Sequence, residues 1–212
     1  MILACFLVLA AFFFLTAGTL AYWEAWVYLF ILFTPMTGLS IYLLRHDPAL
    51  LERRLQYKER RKQQKGIIAL SYPIFLLAFL LPGLDKRFGW TDTPLAAIII
   101  AQVLVLAGYA IVIWVFRENS YASRIIEVQS GQKVIDTGSY SFIRHPMYLG
   151  VGTLYILSPL ALGSWLAIIP ALPLLIVLFF RIRDEEIALA RDLPGYIDYM
   201  LKERYRLIPG IW

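Results

Sequence analysis

Thiol and imidazole groups are nearly missing from this chain, which has one cysteine, Cys5, and two histidines in 212 residues. A single cysteine excludes a disulfide framework, and together with two histidines it cannot complete a usual zinc shell, so no metal is expected. Charge is also scarce, at 17% of residues, and it is segregated. Residues 1–23, 25–44, 66–84, 93–116 and 146–180 carry none. With 60% apolar residues and a mean hydropathy of +0.67, the composition excludes an ordinary soluble domain. No internal repeat, linker or low-complexity tract divides the chain, so one domain over residues 1–212 is expected.

About 20 apolar residues cross a bilayer, so the five uncharged runs predict at least five membrane segments. The last run is 35 residues long. One helix of that length would measure about 52 Å, well beyond a hydrocarbon core of about 30 Å, so it must fold back. Gly163-Ser164, just after Ser158-Pro159, is the natural turn and predicts a hairpin of helices over about 146–162 and 165–181. The expected fold is therefore an all-α integral membrane protein with six transmembrane helices, four of them within residues 1–116.

Eighteen of the twenty Lys and Arg residues fall in segments 45–65, 117–145 and 181–212; the other two lie in 85–92. The positive-inside rule makes the basic side cytoplasmic, and six crossings put both termini there. Residues 1–22 lack a basic leading region and run into a second apolar stretch, so they are read as helix one rather than a signal peptide. Tyr22, Trp23, Trp26 and Tyr28 suit an aromatic belt. Segment 45–65 predicts a basic interfacial helix on anionic lipid, with Asp47 as cap, Pro48 at its first position, and Leu51 and Leu55 on one face. Nucleic acid is not expected as a partner. Pro82-Gly83 and Thr93-Pro94 are expected to mark the outer helix ends, with Asp85, Lys86, Arg87 and Asp92 as solvated loop charges.

The chemistry-bearing residues lie in the last hundred. Between Arg117 and Arg144 a polar loop carries the apolar pairs Ile125-Ile126 and Val134-Ile135, enough for a compact cytoplasmic element with short strands; loops of such length are usually functional. In Arg144-His145-Pro146 the proline fits a first helical turn, so a helix N-terminus and a forked cation meet at the membrane mouth. That suits either a carboxylate or phosphate site or anchoring to lipid phosphates. Gly150 and Gly152 allow close approach by another helix or by a ligand. In RIRDEEIALARD, Arg181 with Glu185 and Arg183 with Glu186 stand at helical pair spacings, so neutralisation within one helix competes with a carboxylate facing a ligand. Tyr196, Tyr199, Lys202, Arg204, Arg206 and Pro209 form an amphipathic tail.

The order GQKVIDTGSYSFIRHPMYLG, a short helical hairpin, RDEE and GYIDYMLKERYRLIP resembles the isoprenylcysteine carboxyl methyltransferase family, within a wider group that includes phospholipid N-methyltransferases. The resemblance covers residues 127–209. It implies a membrane enzyme using S-adenosylmethionine, with the cofactor on the cytoplasmic side between the 131–148 loop and the acidic segment after the hairpin. Carried over by position, it places Gln132, Val134, Ile135, Tyr140, His145, Pro146, Tyr148, Gly150, Glu185 and Glu186 around the cofactor. Arg144 and a basic tail residue, Lys202 or Arg204, would be catalytic residues beside the methyl acceptor. Gln132 stands where many members have His, and Pro194-Gly195 replaces a commoner Phe-Gly turn. The implied acceptor is lipophilic or lipidated, most simply a carboxylate of the isoprenylcysteine type. A lipid amine acceptor, a sterol-reductase-like enzyme using NADPH and a non-catalytic lipid-binding protein are the other readings.

Overall fold

The computed structural model describes residues 2–55, 62–122 and 128–212, and among them every regular element is helical. In chain order these are α1 (Ile2–Ala17), α2 (Trp23–His46), α3 (Pro48–Leu55), α4 (Lys62–Phe88), α5 (Leu95–Glu118), α6 (Pro146–Ala161), α7 (Ile168–Ala171), α8 (Pro173–Asp192) and α9 (Tyr196–Lys202). A single 3-10 turn, Gly138–Ser141, precedes α6. Helices α2 and α5 are long and apolar enough to cross a membrane, and α1 and α6 are apolar but shorter. Large apolar side chains such as Leu15, Val103 and Ile176 remain exposed around the bundle.

The core is built where the bundle can close tightly. Helices α5 and α6 pack through facing glycines: a Cβ on Gly150 would lie 2.6 Å from the Gly108 carbonyl oxygen and one on Gly108 would lie 3.0 Å from that of Gly150. Overlap at such distances forces backbones apart, so both positions require glycine. Phe13, Tyr22, Tyr28, Leu29, Val105 and Leu162 are buried in one cluster joining α1, α2, α5 and the end of α6. A second cluster, with Leu43, Leu50, Val115 and Phe116, seals the opposite end of α2 and α5 against α3. Asp47 accepts a hydrogen bond from the Leu50 N–H at 2.9 Å, the expected cap that starts α3 at Pro48. The Leu55 side chain and much of the basic stretch lie outside the described residues.

Several expectations for the outer end are corrected. Pro82 and Gly83 lie inside α4, which continues to Phe88. The glycine is there because a Cβ would collide with the Thr16 hydroxyl of α1, and not because a helix stops. Thr93-Pro94 does precede α5. Asp85 is buried: it accepts from the Thr91 N–H at 2.8 Å and from the Thr91 and Ser164 hydroxyls at 2.5 Å each. Lys86 pairs with buried Glu24 at 3.0 Å. These two side chains are pins joining the α4 end to α2 and to the turn after α6. Likewise, Trp23 and Trp26 are exposed, but Tyr22 and Tyr28 are core residues whose hydroxyls donate to the Leu162 carbonyl and the Ser158 hydroxyl.

The hairpin turns at Gly163-Ser164 as expected, with Gly163 at φ +87°. Its second arm departs from the expected 165–181 helix. Pro173 has no N–H to bond backward, so a one-turn α7 is separated from α8. Helix α8 then runs on to Asp192, carrying the acidic segment on a rigid helix.

Candidate active site

Four segments converge where α5 and α8 end and α6 begins. The loop after α5 is held down first: Glu118, the last residue of α5, accepts from the Ser139 N–H at 2.9 Å and from the Trp114 indole N–H at 2.5 Å. Gly138 makes this possible, since its φ of +57° and a virtual Cβ overlapping the Glu118 carboxylate both demand glycine. Val134 and Ile135 form no strand; they lie in irregular chain and line a cleft. Ile125 and Ile126 lie outside the described residues.

That cleft encloses about 910 Å³, part of it continuous with solvent. Of the residues singled out in the sequence, Gln132, Val134, Ile135, Tyr140, Arg144, His145, Tyr148 and Glu185 line it. The 132–148 segment and Glu185 of α8 thus meet at one cleft. Asn119, Tyr121, Ala122, Lys133, Met147, Arg181, Ala188, Leu189, Leu193, Tyr196 and Tyr199 complete the wall.

The remaining expected residues stand elsewhere. Gly150 faces α5 and serves packing. Pro146 is buried at the first turn of α6, behind His145. Lys202 is exposed and pairs with Asp136 across the loop at 2.7 Å, and Arg204 is exposed and outside the cleft wall.

Glu186 is a buried hub. Its Oε1 accepts from Arg144 Nε at 2.8 Å, forms an ion pair with Arg144 Nη2 at the same distance and stands 3.3 Å from His145 Nε2; its Oε2 accepts from Arg206 Nε at 2.7 Å. Burial alone would raise this carboxyl, but the hydrogen bonds from His145 and Arg206 and the charges of His145 and Arg144 outweigh it and hold it at about 2. Neutralisation therefore comes from other segments rather than from Arg183 one turn away, which lies over the Phe179 ring instead.

Arg144 is consumed by the same arrangement. Besides Glu186, its Nη1 donates to the carbonyls of Glu203 at 3.1 Å and Met200 at 3.4 Å. The main chain adds a clasp: Arg144 N–H donates to the Tyr205 carbonyl at 2.8 Å and His145 N–H to that of Arg206 at 2.9 Å. Arg206 also lies over the Trp212 ring, which stacks on Phe179 of α8. The tail is thus strapped to the RHP segment. Arg206 was not singled out among the site residues; the sequence placed it only in the amphipathic tail.

Arg181 is the guanidinium that the cleft wall adds. Its Nε donates to the Tyr148 hydroxyl at 3.1 Å, and that hydroxyl donates to Glu185 at 2.5 Å. This relay brings a cation, a phenol and a carboxylate to the cleft wall, and Val134, Leu189 and Leu193 add apolar surface to it. Such a site can bind a ligand with a charged end and a flat or apolar end.

Residues 97–191 match the family model of the isoprenylcysteine carboxyl methyltransferases, the family that the motifs resemble. The match spans α5, the cleft loop, α6 and most of α8, just under half of the chain. No curated protein matches the chain.

Proposed function

We propose that this chain is an integral membrane methyltransferase of the isoprenylcysteine carboxyl type, using S-adenosylmethionine to methylate a carboxylate on a lipophilic or lipidated acceptor. The observation that carries the reading is the convergence, on one cleft, of Gln132, Val134, Tyr140, His145, Tyr148 and Glu185 within the family match. The proposed topology is six crossings with both termini and the cleft cytoplasmic. In support, segments 45–55, 128–145 and 181–206, which hold most of the described basic residues, gather at the cleft end of the bundle.

The residues fit the cofactor by their chemistry. Gln132, Asn119 and Glu185 offer hydrogen-bonding groups for ribose and amino-acid functions, and Val134, Leu189 and Leu193 offer an apolar surface for a purine. When bound, S-adenosylmethionine supplies a methyl group on a positively charged sulfur. The protein's work is then mostly placement of an acceptor lone pair in line with that methyl, so proximity is the main catalytic device. A carboxylate is ionised at pH 7 and needs no base. It needs a cation to hold it, and Arg181, which lines the cleft beside Tyr148 and Glu185, is assigned that role. Lys202 and Arg204 are assigned no catalytic part, because both stand away from the wall.

Incubation of the purified chain with labelled S-adenosylmethionine and fractionated membranes tests the reading. A labelled lipophilic ester, released as methanol by mild base, is the expected product. Label resistant to base would place the methyl on an amine, and no label with no cofactor binding would overturn the assignment.

A further inference from the structure

One polar group on the cleft wall is out of keeping with the rest. Tyr196 opens α9, is 4% exposed and lines the cleft, yet its hydroxyl has no hydrogen-bond partner among the described residues. Buried hydroxyls are nearly always paired, because an unpaired one has lost its water and gained nothing. The neighbouring phenols follow that rule. Tyr199 donates to the Tyr140 carbonyl at 2.7 Å, Tyr140 accepts from the Asn119 amide at 2.7 Å, and Tyr148 donates to Glu185. Thr93 has a similarly unpaired buried hydroxyl, but it does not line this cleft.

The surroundings of Tyr196 select the ligand group. Its ring packs in a cluster with Leu193, Tyr199, Val134, Tyr140 and Leu189, an aromatic and aliphatic part of the wall. Burial first, then the charges of Glu186 and Glu185, push this phenol up, so it stays protonated and able to donate at any working pH. A neutral donor carried on an apolar part of the wall matches a flat heterocycle whose edge carries nitrogen acceptors. The ammonium of the cofactor's amino-acid end would be drawn to Glu185 instead.

We infer that Tyr196 is a binding residue for the adenine end of the cofactor, its hydroxyl donating to the purine edge. This rests on the methyl-donor reading above. The test uses the purified full chain in detergent, as wild type, Tyr196→Phe and Tyr199→Phe. Each is melted without ligand and titrated calorimetrically with S-adenosylhomocysteine and with 5′-methylthioadenosine, which keeps the nucleoside and lacks the amino-acid end.

Tyr196→Phe is expected to melt at or above wild type without ligand, since it removes an unpaired group, and to bind both nucleosides roughly 3- to 10-fold more weakly. Tyr199→Phe, which loses a made hydrogen bond, is expected to melt lower. A lower melting point for Tyr196→Phe would overturn the inference, because the hydroxyl would then have a structural partner. Unchanged affinity for both nucleosides would do the same, and weakening confined to S-adenosylhomocysteine would move the hydroxyl to the amino-acid end. Failure of wild type to bind either nucleoside would instead bring down the methyl-donor reading itself.

Discussion

Replacing Glu186 by Gln isolates the charge at the centre of the site. The carboxylate is 5% exposed and accepts from two arginines while His145 stands beside it. Folding lowers it from 4.5 to about 2, which corresponds to about 3 kcal/mol of stability. Because folding lowers this carboxyl, the contribution is complete above pH 4.5 and is lost as the pH falls toward 2. Gln keeps the shape but leaves Arg144 buried without its counter-charge, and breaking a buried pair costs about 3–5 kcal/mol. In a chain of this size that is a drop of roughly 6–20 °C in melting temperature. The assay is thermal unfolding in detergent between pH 7 and pH 3, followed by tryptophan fluorescence, with protease sensitivity of the tail as a second readout. At pH 7 the variant should melt well below wild type and release residues 203–212 to protease. As the pH falls below 4.5, wild type should lose stability faster than the variant, so that the two curves approach. A variant melting within 2 °C of wild type at pH 7, or two curves that stay parallel in acid, would refute the account of Glu186.

Arg181→Ala should lower methyl transfer by about 10- to 100-fold, the size of a lost charge-assisted hydrogen bond, while cofactor affinity measured by calorimetry changes by no more than a few fold. Gly150→Ala places a methyl 2.6 Å from the Gly108 carbonyl and should cost about 1–3 kcal/mol, read as a lower melting temperature. Ser164→Ala removes a donor to buried Asp85 and should cost about 1–3 kcal/mol, with nucleoside affinity in the surviving protein equal to wild type, because the change lies at the far end of the bundle.

The features legible in sequence are those set by local chemistry. Uncharged runs gave the helices, Asp47-Pro48 the start of α3, Gly163 the turn, and the GQKVIDTGSY and RHP strings part of the cleft wall. What was illegible depends on a distant partner. Asp85 and Lys86 look like loop charges because nothing nearby in sequence can bury them; their partners are Ser164 and Glu24, supplied by other helices. Tyr22 and Tyr28 have the composition of an interfacial belt, and only the carbonyl of Leu162 and the hydroxyl of Ser158 make them interior. Pro82-Gly83 looks like a stop because close packing against Thr16 and helix termination ask for the same residue. For the same reason Arg144 resembled an open anion site, since the carboxylate it serves lies 42 positions away.

The clasp between residues 144–145 and 205–206 makes a circuit of everything between them. The α6–α8 hairpin is joined at its far end by a covalent turn and at its near end by hydrogen bonds and the Glu186 hub. A single peptide cut beside exposed Trp165 would therefore leave two pieces that still grip each other, and two separately made halves meeting at that turn should reconstitute the cleft.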